Sequence, residues 1–110
     1  QGLKHEECWV LFLNRANRII KKEMLFKGGV DSTIFDVKTI VRKALVYSAS
    51  AVIISHNHPS GSANPSTADI KQTDALHKAL KYREIHLLDH VIITEDSFYS
   101  ISNEALYNFK

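Results

Sequence analysis

The order of apolar runs along the chain predicts a mixed α/β or α+β fold, one sheet with helices packed against it. Three observations carry this. Short apolar runs of strand length recur at 6–13, 51–55 and 86–94. Two longer segments repeat apolar residues at helical spacing, and each begins at a capping residue, Asp36 or Ser66. The chain has 110 residues, 45% of them hydrophobic, which suits one domain around one core.

Each element has its own signal. Residues 6–13 (E-E-C-W-V-L-F-L) read as a strand buried on both faces. Asn14 to Asn17 (N-R-A-N) is a turn, and its shortness makes 18–26 a second strand antiparallel to the first. Gly28 and Gly29 interrupt that strand. Asp36 caps a helix over 37–48, with Val37, Ile40, Val41, Ala44 and Leu45 on one face. Residues 51–55 (A-V-I-I-S) form a short buried strand that ends at two histidines. Residues 57–65 hold Asn, Pro, Ser and Gly and form a loop. Ser66 caps the next helix, with Asp69 completing a capping box. That helix runs to about Tyr82, with Ile70, Thr73, Leu76, His77 and Leu80 near helical spacing. Residues 86–94 are another strand, 98–101 one more, and the tail from Asn103 turns helical. The expected order is β-β-α-β-α-β-β.

Composition narrows the function. A formal charge of +2, with its densest basic group at Lys21, Lys22 and Lys27, lacks the concentrated basic face of a duplex binder. The single cysteine, Cys8, rules out an internal disulfide and fits a reducing cytoplasm. No run of about 18 apolar residues exists, so no membrane span is expected. The chain starts at Gln1 with no signal-peptide pattern, and is expected to be the C-terminal catalytic domain of a longer protein.

The chemistry concentrates in S-H-N-H-P-S-G-S-A-N-P-S-T-A-D. In an extended chain residues two apart share a side, so His56 and His58 converge on one ion at the end of their strand. Asp69 follows in the first turn of the next helix, where the dipole favours a carboxylate. Three such ligands leave zinc a fourth, open position, the arrangement of a catalytic site, and the water there is acidified to a pKa of about 7. Ser66, at the same helix start, is placed to donate to a developing oxyanion. Taken singly these residues mean little. An H-x-H pair is a weak signal, Ser66 alone is a cap, and Asp69 alone is a solvated acid; their combination in a strand–loop–helix context points to metal. Other zinc signatures are missing: one Cys excludes a zinc finger, there is no H-E-x-x-H, and no P-C-x-x-C of a zinc deaminase.

This run matches the JAMM (JAB/MPN) metalloprotease motif, H-x-H-P-x(6)-S-x(2)-D, at every defined position. With A-V-I-I-S-H-N-H-P-S-G, P-S-x-A-D and L-L-D-H-V-I-I, the chain resembles the RadC family of bacterial proteins from about Glu6 to its end. The resemblance implies a JAMM-type (cytidine-deaminase-like) fold, a curved mixed β-sheet flanked by two main helices with zinc at one edge. It also implies a glutamate at the start of an early strand that acts as general base. Glu6 fits E-x-[apolar]-x-x-L-x-L through Cys8, Leu11 and Leu13, with its neighbour Glu7 as the alternative facing the other way. The implied activity is attack of water on a peptide or isopeptide carbonyl of an unknown substrate, with Zn2+ held by His56, His58 and Asp69. The competing reading is a DNA-repair or recombination accessory domain with a structural or vestigial zinc site, any DNA contact being made by a domain outside these residues. A third reading is a scaffold, which the intact ligand set argues against.

Around the motif, Ser55 and Asn57 flank the ligands and are placed to orient them. Asp89 and His90 adjoin in a strand and point apart, one of them a candidate support for the site, with an ordinary buried hydrogen-bonding role as the alternative. Cys8 shares the face of Glu6 and reads as a small buried hydrophobe. Trp9 reads as core, His77 and His86 as packing residues, and His5 as a solvent-facing terminus. The loop from Lys27 to Phe35 is the candidate for substrate positioning.

Overall fold

A computed structural model describes residues 6–27, 35–59 and 61–109. Its elements are β1 (Glu7–Leu13), β2 (Ile19–Lys27), α1 (Val37–Val46), β3 (Ala51–Asn57), α2 (Thr67–Lys81), β4 (His86–Ile93), β5 (Ser97–Ser100) and β6 (Ala105–Asn108). The strands form one mixed sheet in the order β2-β1-β3-β4-β5-β6. All neighbours are antiparallel except β3 and β4, which α2 joins by a crossover. The expected mixed α+β sheet with two helices is the fold observed.

Alternation along β1 and β3 sets the core. Cys8, Val10 and Phe12 of β1, with Val52 and Ile54 of β3, are fully buried on one face. Ile40 and Ala44 of α1 and Leu76 and Leu80 of α2 close over that face in a single cluster. Both helices begin as the sequence predicts. Asp36 accepts from the Thr39 amide, and Ser66 and Asp69 form a reciprocal capping box. The hairpin between β1 and β2 turns at Asn14–Asn17, where the Asn14 carboxamide accepts from the amides of Ala16 and Arg18. Asn17 takes the left-handed φ of 60° that asparagine tolerates better than most residues.

Four expectations need correction. β1 is buried on one face only; Glu7, Trp9 and Leu11 on the other are half-exposed, and Trp9 stands outside the core cluster. Leu45 is half-exposed near the end of α1 rather than buried with Ile40 and Ala44. β3 runs on through Asn57, so His56 lies inside the strand. The tail is strand β6, not helix, because its backbone pairs with the open edge of β5. Gly28, Gly29, His5 and most of the loop from Lys27 to Phe35 lie outside the described residues.

One irregularity bears on the site. Val52 of β3 pairs with Leu87 of β4, but Ile53 pairs with Asp89, which leaves Leu88 as an extra residue on β4. The bulge shifts the alternation by one, so that both Leu87 and His90 face the helices.

Candidate metal centre

β1 and β3 position the first groups. Cys8 pairs with His56 across the two strands. Carried outward by two residues, that register sets Glu6 opposite His58 on the same face. The ligand atoms offered by Glu6, His56 and His58 all lie within 4.8 Å of one another. Asp69 enters from the first turn of α2. Its Oδ1 is 3.5 Å from His56 Nε2 and its Oδ2 3.4 Å from His58 Nε2, while the two Nε2 atoms are 3.0 Å apart.

These spacings suit a small cation. Donors bonded to a tetrahedral zinc at about 2.0–2.2 Å stand about 3.3–3.6 Å apart. Two further observations point the same way. Asp69 is fully buried, and its Oδ1 has no hydrogen-bond partner, whereas Oδ2 is held by the Ser66 amide at 2.7 Å. A buried carboxylate oxygen left unpaired beside two imidazoles is costly unless a cation neutralises it. His58 Nδ1 donates to the Ser62 carbonyl at 2.9 Å, which turns the Nε2 of the neutral ring, bare of a proton, toward the cluster. The residues present therefore fit a divalent metal.

Charge follows from the same contacts. Burial pushes His56 down to about 4, so it stays neutral at ordinary pH. His58 is shifted upward, chiefly by its hydrogen bond with Asp69, which outweighs partial burial. Burial pushes Asp69 upward, but His58, the Ser66 amide and the neighbouring imidazoles outweigh it and bring it down to about 2. Without metal, a proton on His58 Nε2 can stand where the cation would.

The other residues singled out by sequence fall as follows. Glu6 joins the cluster, whereas Glu7 turns to the opposite side and accepts from the Trp9 indole at 3.0 Å. The Ser66 hydroxyl accepts from the Asp69 amide at 3.0 Å, and its own proton is pledged to no group among the described residues. The Asn57 carboxamide accepts from the Glu7 amide at 2.6 Å and so anchors the peptide that follows Glu6. Ser55 pairs with Trp9 across the strands and touches none of the ligand atoms described. His77 is exposed on α2 rather than packed, and His86 is exposed at the start of β4. Cys8 is buried in the core beneath the site. Asp89 accepts from its neighbour's amide, from Ser100 and from the Ser102 amide, which ties β4 to β5 and the following turn. His90 is the residue behind the site: its Nε2 is 2.7 Å from His56 Nδ1, and its Nδ1 is 2.5 Å from Thr73 Oγ1. Sequence reasoning named His90 without its partner and missed Thr73, which helical spacing marks only as a core-side residue.

The sequence model of the RadC-like JAB domain matches residues 1–106. A UPF0758 protein of Flavobacterium johnsoniae is 45% identical over 105 residues, covering 96% of this chain and 46% of that protein. A UPF0758 protein of Porphyromonas gingivalis is 45% identical, with 94% and 46% covered. UPF0758 protein YfjY of Escherichia coli is 41% identical, with 96% and 66% covered. The chain thus spans about half to two thirds of the length of these relatives. With the family model matching nearly the whole chain and relatives more than 40% identical, the chain belongs to the RadC-like JAB domain family.

Proposed function

We propose that the chain is a zinc-dependent hydrolase domain that cleaves an amide bond in a peptide or protein. One observation carries this reading: two imidazole nitrogens and a carboxylate, 3.0–3.5 Å apart, stand with a second carboxylate beside them. His56, His58 and Asp69 would hold the ion. Bound there, zinc supplies Lewis acidity and an acidified water. Glu6 takes the proton that the attacking water loses and returns it to the leaving amine. Ser66, whose oxygen is fixed by the Asp69 amide, turns its hydroxyl proton toward the carbonyl oxygen as charge develops on it. Asn57 keeps Glu6 in reach by fixing the next peptide.

The experiment is metal analysis of purified protein beside hydrolysis of a peptide panel. Wild type should carry about one zinc per chain. Asp69→Ala should lose most of it. Glu6→Gln should keep the metal and lose hydrolysis, because the amide can neither take nor return the proton. Zinc-free wild type under zinc-replete conditions would overturn the reading in favour of a scaffold or a nucleic-acid accessory domain.

A further inference from the structure

We propose that His90 and Thr73 are positioning residues that hold His56 in the one tautomer able to bind metal, and that their relay ends on the backbone of Asp69. The inference rests on the metal reading above and extends it to two residues that touch no ion.

The relay has only one self-consistent direction. Thr73 Oγ1 lies 2.6 Å from the Asp69 carbonyl, which can only accept, so the hydroxyl spends its single proton there. What Thr73 offers His90 is then a lone pair, and His90 Nδ1 must carry a proton. His90 is 1% exposed and has no carboxylate oxygen against its ring nitrogens, so a second proton on Nε2 would be a buried, uncompensated charge. His90 Nε2 therefore accepts, and His56 Nδ1 donates to it across 2.7 Å. A neutral imidazole protonated at Nδ1 is bare at Nε2, the atom that faces His58 and Asp69.

The same contacts join three elements into a ring. The relay begins at a ligand on β3, crosses β4 and enters α2, where it ends at the main chain of another ligand. It exists because the Leu88 bulge turns His90, rather than Asp89, toward the helices opposite Ile54. A threonine bonded to the carbonyl four residues back is common in helices. A hydroxyl that also fixes a ligand's tautomer through an intervening ring is a further role.

Thr73→Val removes the oxygen and keeps the shape. His90 then has no acceptor at Nδ1, places its proton on Nε2, and forces His56 to accept at Nδ1 and carry its own proton at Nε2. Two measurements test this on the full chain. Nitrogen-15 shifts of the imidazoles in metal-free protein should show His56 protonated at Nδ1 in wild type and in Thr73→Ser, and at Nε2 in Thr73→Val. Zinc titration should show Thr73→Val about 10- to 100-fold weaker than wild type, with Thr73→Ser restored. A wild-type His56 protonated at Nε2 overturns the relay whatever the variants do. So does a folded Thr73→Val that keeps the wild-type tautomer and affinity. Wild type that binds no zinc sinks the metal reading, while the tautomer measurement still judges the relay.

Discussion

In the proposed site, His58 is where acid and metal would compete. Its affinity for a proton is raised above the usual histidine range, mainly by Asp69, and that proton shares the space a cation needs. Zinc affinity should therefore rise with pH until His58 has lost its proton and level off above that point, with proton release on binding that calorimetry in buffers of different ionisation enthalpy would measure. A pH-independent affinity between pH 5 and 8 would contradict this. Cys8 behaves in the opposite way. Burial, reinforced by Glu6 and Asp69, pushes its thiol up to about 12, so it stays a thiol and a poor nucleophile. Iodoacetamide at pH 8 should label the unfolded chain and spare the folded one. At this scale the sequence was most legible where residues are neighbours: His56, His58, Ser66 and Asp69 lie within fourteen consecutive positions. The His56–His90–Thr73 relay joins positions 34 and 17 residues apart, and no local spacing reveals it.

Strands and helices carry the next set of consequences. Leu76 is fully buried between α2 and the sheet. Its replacement by alanine should cost about 2–5 kcal/mol, seen as a lower denaturant midpoint with an unchanged slope. The β4 bulge invites a sharper test. Leu88 is 38% exposed, so deleting it removes little from the core, and it brings Asp89 next to Leu87, so that regular pairing keeps Asp89 opposite Ile53 and His90 opposite Ile54. The shortened protein should fold and bind zinc about as tightly as wild type; much weaker binding would mean that the bulge itself, and not the register alone, shapes the site. Periodicity and caps made both helices and five strands readable. β6 was not readable, because A-L-Y-N has no strong preference and becomes a strand only against the free edge of β5. The reach of β3 through His56 was hidden for a similar reason, since pairing with β1 and β4 carries it past the apolar run.

Taken as a whole, the molecule couples its stability to acid and to metal. His56 and His90 are held down at about 4 and about 3, from an ordinary value of 6.5, by burial. The unfolded chain takes up these two protons near pH 6.5 while the folded chain refuses them, so their contribution is complete above pH 6.5 and falls as pH drops toward 3. Asp69, brought down to about 2 from 3.8, adds a loss in the same direction below about pH 4. His58, shifted upward, works the other way: its contribution is present below 6.5 and is lost as pH rises through its folded value. With His56 and His90 against His58, metal-free protein should melt at progressively lower temperature on acidification from pH 7 to 4, and Asp69 should steepen the loss below that. Zinc at a hundred times its dissociation constant should add about 2.7 kcal/mol at neutral pH and much less at pH 5. Among the described residues no helix is long and apolar enough to cross a membrane. Among the described residues the buried core begins at Cys8, two residues after Glu6, and the three ligands of the proposed site, His56, His58 and Asp69, lie beyond it in the chain. On the proposed reading, Glu6→Ala would thus leave a sound shell that still captures zinc but can no longer move a proton, turning a catalyst into a metal sponge with a single change.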